Sequence, residues 1–269
     1  MRDLARLLAL AVGLVLATPA MADNTGLDRL TLRSDLLGWE AVGRLDLGGG
    51  FCTGVLVAPD LVLTAAHCLT EAKAVGRVDQ MRFRAGLRDG EAVAEAVVAR
   101  AVMHPDYVPG DGVSAGNIRY DVGLVQLAAP IPAAVAAPFL VETLPRAGAP
   151  VSVVSYARGR AEAPARQAVC TVQGRHSGLL AFDCDVTFGA SGAPVFDLTG
   201  PRARIVSLVA SGGTGAGGRV AFGMELPARV AELKHALRTG AGVFPETGFS
   251  ARRVTIGERD GTGARFVRP

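Results

Sequence analysis

Short apolar runs, separated by glycine, proline and polar residues, recur along most of the chain. Runs of this kind, divided by turn-forming segments such as 48–50 and 59–60, favour β-strands over helices. Their spacing is typical of a β-barrel or a β-sandwich. The sequence therefore predicts an all-β fold, with strands near residues 41–45, 53–57, 61–64, 80–86, 92–103, 122–127, 150–156, 168–173, 179–184, 193–197, 203–210 and 219–225.

One helix is predicted near the end of this pattern. Pro227 suits a first helical turn, where no backbone N–H is needed, and Gly240 suits the residue that ends a helix. Between them, Val230, Leu233 and Leu237 recur at helical spacing. The pattern predicts a surface helix that packs one apolar stripe against the strands.

Changes in composition indicate how the chain is organised. A segment rich in alanine and proline, with little periodicity, separates two β-rich halves and is typical of a linker. The predicted units are a leader or pro-segment at 23–38, an N-terminal β-barrel at 39–127, an inter-barrel linker at 128–149, a C-terminal β-barrel with its helix at 150–240, and a tail of unknown role at 241–269.

The N-terminus has the pattern of a secretory signal peptide at 1–22. A basic start is followed by an apolar run from Leu7 to Ala17, which is too short to span a bilayer, and by small residues at Ala20 and Ala22. A single anchoring helix is the alternative, and the Thr-Pro pair after the run disfavours it. We expect a secreted or periplasmic protein with no membrane contact after the signal is removed.

Composition limits the classes of function that the sequence can support. Apolar residues make up 49% of the 269 residues, enough for a large core, and the net charge of +3 gives no argument for a nucleic-acid partner. Export predicts an oxidising compartment, in which the four cysteines form two disulfides. Four cysteines allow three pairings, and their positions alone do not choose among them.

Three short segments carry candidate chemistry. The first, Thr64-Ala65-Ala66-His67-Cys68, sets an imidazole among small residues that leave room for another side chain to approach. The second places Asp121 at the start of an apolar strand, where a carboxylate can accept the Nδ1–H of an imidazole and fix its tautomer. Taken singly, a structural histidine and a turn aspartate are the alternatives.

The third segment crowds glycine and alanine around Ser191. A plain turn is the alternative interpretation. A nucleophilic serine, however, needs a sharp turn with backbone N–H groups aimed at one point, and Gly189 can adopt the backbone angles that such a turn requires. The N–H groups of Gly189 and Ser191 are therefore the predicted oxyanion hole.

Together these segments resemble the trypsin/chymotrypsin family of serine proteases. Residues 64–68 are identical to its TAAHC motif, 120–127 are similar to its Asp-containing strand, and 189–194 resemble its GDSGGP motif. The order His, Asp, Ser is also that of the family. The resemblance covers roughly residues 38–240.

The resemblance implies a specific fold and site. The expected fold is two packed six-stranded antiparallel β-barrels with a C-terminal helix, and the implied catalytic triad is His67, Asp121 and Ser191. It also implies a Cys52–Cys68 disulfide beside the catalytic histidine, which leaves Cys170 for Cys184.

The chain departs from the family at the residue before the nucleophile. Ala190 replaces the aspartate that receives a new N-terminal ammonium in trypsin-like zymogens, and the chain lacks an IVGG start. With Cys184 seven residues before the nucleophile, it resembles more closely the bacterial branch that includes glutamyl endopeptidases. Activation through an N-terminal ammonium bound at position 190 is therefore not expected.

The expected function is that of a secreted serine endopeptidase acting through an acyl-enzyme. A catalytically silent, protease-like binding protein and an esterase on the same scaffold are the alternatives. No metal or organic cofactor is expected, and the expected partner is a protein or peptide substrate. The chain is expected to be a monomer.

Substrate preference is expected to depend on two further positions. The resemblance places Asp185, six residues before the nucleophile, at the base of the primary specificity pocket, where a carboxylate attracts Arg or Lys. Gly212 leaves the mouth of that pocket open to a long side chain. The alternative is that Asp185 is hydrogen-bonded within its own loop, and the strand from Ile205 to Gly213 contains no histidine that would support a Glu preference.

Overall fold

The computed structural model describes residues 26–143, 146–215 and 218–245. The predicted signal peptide at 1–22 and residues 246–269 of the predicted tail lie outside the described residues. Within the described ranges, no helix is long and apolar enough to cross a membrane.

The chain folds mainly into antiparallel β-strands, most of them at the positions that the apolar runs predict; the short strand Leu27–Arg29 and the first half of the strand Arg160–His176 were not predicted. The strands are β1 (Leu27–Arg29), β2 (Val42–Asp46), β3 (Phe51–Ala58), β4 (Leu61–Thr64), β5 (Arg82–Ala85), β6 (Ala94–Met103), β7 (Gly123–Leu127), β8 (Pro150–Ala157), β9 (Arg160–His176), β10 (Leu179–Phe182), β11 (Pro194–Asp197), β12 (Arg204–Leu208), β13 (Ser211–Gly215) and β14 (Gly218–Met224). The α-helices are α1 (His67–Val75), α2 (Ala115–Ile118) and α3 (Pro227–Thr239), and short 3₁₀ helices lie at Arg33–Leu36 and Val78–Gln80.

The N-terminal half is the closed six-stranded barrel that was expected. Its strands pair in the order β2-β3-β4-β7-β6-β5 and close on one another. Val55, Leu63, Phe83 and Leu124 are fully buried within it. Closure leaves no free strand edge in this half, which protects it from pairing with other chains.

The C-terminal half, expected as a second six-stranded barrel, is a half-barrel sheet whose end strands do not pair, and with the closed barrel and the C-terminal helix it makes up the expected two-part β fold. Seven strands follow the path β12-β11-β8-β9-β10-β14-β13, and β1 pairs with β9. Strand β14 passes close to β12, since a Cβ on Gly223 would lie 2.1 Å from the carbonyl oxygen of Leu208. The two ends of the path, β12 and β13, are not paired, and a separate apolar core packs inside the half-barrel sheet.

Residues 26–37, predicted as leader or pro-segment, pack against both halves. Strand β1 pairs with β9 of the C-terminal half, and the carbonyl of Thr31 accepts a hydrogen bond (3.1 Å) from Arg88 of the N-terminal half. Leu30 and Leu36 are buried in the main core. The sequence pattern does not reveal this packing, because the two buried leucines are separated by mostly polar residues.

Both disulfides join the predicted partners. Cys52 is bonded to Cys68, and Cys170 is bonded to Cys184. The first bond ties β3 to the first turn of α1, and the second ties β9 to the segment that leads to Ser191. In the chain-entropy model, closing loops of this size contributes roughly 3 kcal/mol each to stability.

The predicted helix is present as α3 and ends at Gly240, which adopts a left-handed conformation (φ 81°). Val230, Leu233 and Leu237 are buried. The helix packs against β6 and β7, so it crosses from the C-terminal half to the N-terminal barrel.

Candidate active site

His67 is held at the first turn of α1, directly after β4. Thr64, Ala65 and Ala66 are fully buried between the strand and the helix. Only small side chains fit this passage, and the Cys52–Cys68 disulfide anchors the next residue. The imidazole itself remains about one-third exposed and faces the cleft between the two halves.

Asp121 binds His67 at two places. One carboxylate oxygen, Oδ1, accepts the backbone N–H of His67 (2.9 Å), and the other, Oδ2, lies 2.7 Å from Nδ1 of the ring. Because an ionised carboxylate only accepts hydrogen bonds, this contact places the ring proton on Nδ1 and leaves Nε2 as an acceptor. The arrangement prepares Nε2 to take a proton from a neighbouring hydroxyl.

The charge of the buried Asp121 also affects its surroundings. Burial, together with that charge, raises the pKa of Tyr107, which lines the same cleft. Tyr107 therefore remains a neutral phenol beside the carboxylate throughout the ordinary pH range.

Ser191 lies in the tight turn that leads into β11. Its carbonyl accepts the N–H of Thr53 (2.9 Å), and the N–H of Gly192 is bound to the carbonyl of Val209 (2.7 Å). The turn needs glycine at Gly189 and Gly192, whose φ angles are 93° and 76°. The serine is thus fixed between the two halves of the molecule.

Thr53 joins the N-terminal barrel to the turn that holds Ser191. Its hydroxyl donates to the carbonyl of Gly189 (2.9 Å) and accepts the N–H of Tyr156 (3.0 Å), while its own carbonyl accepts the hydroxyl of Thr64 (2.9 Å). Thr53 is fully buried, so these contacts are shielded from water. One side chain of β3 therefore sets the position of the Ser191 turn relative to His67.

Two backbone N–H groups in the Ser191 turn, those of Gly189 and of Ser191 itself, are available to bind an oxygen atom. The carbonyl of Phe188 accepts the N–H of Arg158 (2.7 Å), and the carbonyl of Ala190 is bonded within the turn. Because the C=O and N–H of a trans peptide point in opposite directions, the N–H groups of Gly189 and Ser191 point away from these bonds. Neither N–H has an acceptor within the described part of the chain.

His67, Asp121 and Ser191 line one cleft of about 830 Å³. Among the described residues the Ser191 hydroxyl has no hydrogen bond to the imidazole, a contact that often tightens only when substrate binds. The walls of the cleft also include the segments 186–188 and 209–214. Phe188 and Val113 are largely exposed at its rim.

The predicted specificity residues do not share one environment. Gly212 lines the cleft, but a Cβ there would lie 2.4 Å from Cγ2 of Val186, so the Val186 side chain already occupies the space beside it and only glycine fits. Asp185 is buried behind the cleft wall rather than lining it. Its N–H is bound to the side chain of Gln167 (2.7 Å), and its carboxylate forms an ion pair with Arg219.

A second arginine lies near the Asp185 carboxylate. Arg160 is partly buried and donates to the hydroxyl of Ser155 (2.9 Å). Burial lowers the pKa of Arg160, and the charge of Asp185 opposes that shift.

Potential metal ligands come together near the active site only at Cys52, His67 and Cys68, among the residues described. The two sulfur atoms are bonded to each other and offer no thiolate to a metal.

Two residues of this site were not predicted from the sequence. Thr53 was missed because a threonine inside an apolar strand resembles any other strand residue. Arg219 was missed because it lies 34 residues from Asp185, and the β13–β14 hairpin brings the two together. The sequence feature that could have indicated Arg219 is its position as a single basic residue near the start of an otherwise apolar strand.

Substituting Gly192 with alanine is expected to lower the free energy of unfolding by about 2–4 kcal/mol. The added Cβ would lie 2.3 Å from Oγ1 of Thr64 and 2.4 Å from the carbonyl oxygen of Thr53, at a φ of 76°. Urea denaturation measures the loss. Gly178→Ala is the matched control, since φ is 80° there with nothing within 4 Å, and it should cost about 1 kcal/mol. Equal losses for both variants would contradict the packing argument.

Comparison with known proteins gives one family match. Residues 52–201, more than half of the chain, match the family described as "Trypsin-like peptidase domain". The chain is 37% identical to human "Serine protease 56" over 97 residues, which is 35% of this chain and 14% of that protein. It is 32% identical to the mouse protein of the same name over 139 residues, which is 49% of this chain and 21% of that protein. The chain thus spans about a fifth or less of the length of these curated relatives.

Two solved structures share the fold. "Structure of Glu endopeptidase in complex with MPD" superposes with a TM-score of 0.60 at 19% identity, covering 79% of this chain and 97% of that one. "Neuropsin, a serine protease expressed in the limbic system of mouse brain" superposes with a TM-score of 0.59 at 17% identity, covering 74% and 94%. At these identities the likeness concerns the fold alone.

Proposed function

Because the chain belongs to the family of trypsin-like serine peptidases, we propose that it is an exported serine endopeptidase. In this proposal Ser191 is the nucleophile, His67 the general base, and Asp121 the group that orients the imidazole. The observation that carries the proposal is the double contact of Asp121 with His67, in the same cleft that Ser191 lines.

The proposed reaction proceeds through an acyl-enzyme. Nε2 of His67 takes the proton of the Ser191 hydroxyl as its oxygen attacks the scissile carbonyl carbon. The C–N bond then breaks, and His67 returns the proton to the leaving amine. A water molecule, deprotonated by His67, then attacks the ester carbonyl carbon. The bond between that carbon and the Ser191 oxygen breaks, and His67 returns the proton to this oxygen, which releases the carboxylic acid product.

The N–H groups of Gly189 and Ser191 are assigned to the negative oxygen of the tetrahedral intermediate. Their orientation away from the Phe188 and Ala190 carbonyl contacts supports this assignment. Because the donors belong to a turn fixed by Thr53, they need little rearrangement when charge develops. One such donor is typically worth about 3 kcal/mol in the transition state.

Export is supported by two independent features. The N-terminal sequence has the pattern of a signal peptide, and all four cysteines form disulfides, which persist in oxidising compartments. We therefore propose a secreted or periplasmic location, with proteins or peptides as substrates.

Hydrolysis of casein that carries a self-quenched fluorescent label tests the proposal. The full chain is expressed with its N-terminal sequence in a bacterial host, and the exported product is purified. We expect casein hydrolysis that a fluorophosphonate abolishes. Hydrolysis of a nitrophenyl ester without casein cleavage would favour an esterase, and no hydrolysis together with no fluorophosphonate labelling would favour a silent binding protein.

A further inference from the structure

Arg219 blocks the carboxylate on which a preference for basic substrates would depend. The side chain of Asp185 is 8% exposed and lies behind the cleft wall, whereas that of Arg219 is 53% exposed and lines the cleft. Arg219 pairs with Asp185 from the cleft side. A basic substrate side chain entering the cleft therefore meets a guanidinium before it can reach the carboxylate.

In the described part of the chain, the ionic side chains of the cleft lining are few, and Arg219 is not neutralised by a carboxylate that lines the cleft beside it. Arg219 is the one arginine or lysine among the cleft-lining residues that the structure describes, and Asp121, engaged with His67, is the one carboxylate. Behind the wall, the single negative charge of Asp185 is near both Arg219 and Arg160. Away from His67, Arg219 is therefore the one ionic side chain that lines the described part of the cleft.

The guanidinium of Arg219 has capacity for another acceptor. A guanidinium carries five N–H donors, and the structure gives Arg219 one hydrogen bond within the described residues, from Nη1 to Oδ1 of Asp185. The fork of an arginine matches a carboxylate with two parallel hydrogen bonds. The buried Asp185 binds one guanidinium nitrogen, Nη1, and so fixes the head group, whose remaining donors are available at a set position in the cleft.

The part of the cleft that Arg219 lines is next to Ser191. One of its walls is the segment 186–188, which leads into the Ser191 turn, and the other is the segment 211–214. On β13 and β14, Thr214 and Arg219 are direct partners. In a bound substrate the side chain nearest Ser191 belongs to the residue whose carbonyl is attacked, so this pocket receives the residue before the scissile bond.

We propose that Arg219, anchored by Asp185, is the specificity-determining residue and selects substrates with an acidic side chain before the scissile bond. The inference rests on the proposed function, and it reverses the Arg or Lys preference expected from Asp185 alone. The cation comes from β14, so the lack of a histidine at 205–213 does not oppose it.

Four peptides that differ only at the residue before the scissile bond, carrying Glu, Gln, Leu or Arg, test this selection. We expect kcat/KM for the Glu peptide to exceed that for the Gln peptide by at least about tenfold, since the two differ only in charge. Arg219→Gln should reduce this ratio to about one and raise turnover of the Arg peptide, because it removes the guanidinium that lies in the cleft and pairs with Asp185. Arg175→Gln removes an ion-paired arginine outside the cleft lining and should leave the ratio unchanged.

Two readouts separate this inference from the proposed function. Fluorophosphonate labelling of Ser191 should persist in Arg219→Gln. In a Ser191→Ala protein, which cannot turn over, calorimetry should detect tighter binding of a product peptide ending in Glu than of one ending in Gln. The inference is overturned if the Arg peptide is the better substrate of the unaltered enzyme, if Arg219→Gln keeps the Glu-to-Gln ratio, or if the two product peptides bind Ser191→Ala equally.

Discussion

Replacing Ser191 with alanine is expected to lower kcat for peptide hydrolysis by about 10⁴-fold or more. The substitution removes the proposed attacking oxygen from the cleft of about 830 Å³ that His67 also lines. The hydroxyl forms no hydrogen bond among the described residues, so the free energy of unfolding should change by no more than about 0.5 kcal/mol. Steady-state kinetics and urea denaturation measure the two quantities.

The double variant Ser191→Ala/His67→Ala provides the control for this prediction. If the two residues act as a unit, removing both costs about as much as removing Ser191 alone. Additive losses would mean that His67 serves another step. Near-full activity of Ser191→Ala would remove the nucleophile assignment.

Replacing Asp121 with asparagine should lower kcat by about 10⁴-fold through the tautomer of His67. The amide oxygen of the new side chain can still accept the backbone N–H of His67, which directs its NH₂ group toward Nδ1. Nδ1 then becomes an acceptor and Nε2 carries the proton, so the ring cannot take a proton from Ser191.

Asp106→Asn is the matched control, because Asp106 is an exposed carboxylate on the loop preceding Asp121. It should retain activity within about twofold, on the scale of ordinary surface substitutions. The tautomer argument is contradicted if Asp121→Asn keeps kcat within about tenfold of the original enzyme, or if the control loses as much.

The sequence predicts the strands well where side chains alternate or cluster, and poorly where glycine replaces them. Strand β13, Ser211–Gly215, was included only partly in a predicted strand, because three of its residues are glycine and present no side-chain pattern. Helix α1 was not predicted, because its apolar face is limited to Leu69 and Ala72 over a short segment. Closure of the second barrel depends on how strands approach in space, which a linear pattern does not contain.

The residues of the candidate site were likewise predictable where the motif is local and unpredictable where a distant contact decides. The motifs around His67, Asp121 and Ser191 are local in sequence, so their residues were predictable, and the structure brings all three to one cleft. The partner of Asp185 is set by the β13–β14 hairpin, which follows Ser191 in the chain. A carboxylate's position can be inferred from its offset to Ser191, but whether that carboxylate is free to meet a substrate depends on Arg219.

Mapping the covalent adduct of a fluorophosphonate tests the central claim most directly. The purified full chain is labelled, digested, and analysed by tandem mass spectrometry, with Asp121→Asn in parallel. The account predicts one phosphonylated residue, Ser191, and strongly slowed labelling in the Asp121→Asn protein. An adduct on another residue such as Ser211, or no adduct at all on correctly folded and disulfide-bonded protein, would contradict it.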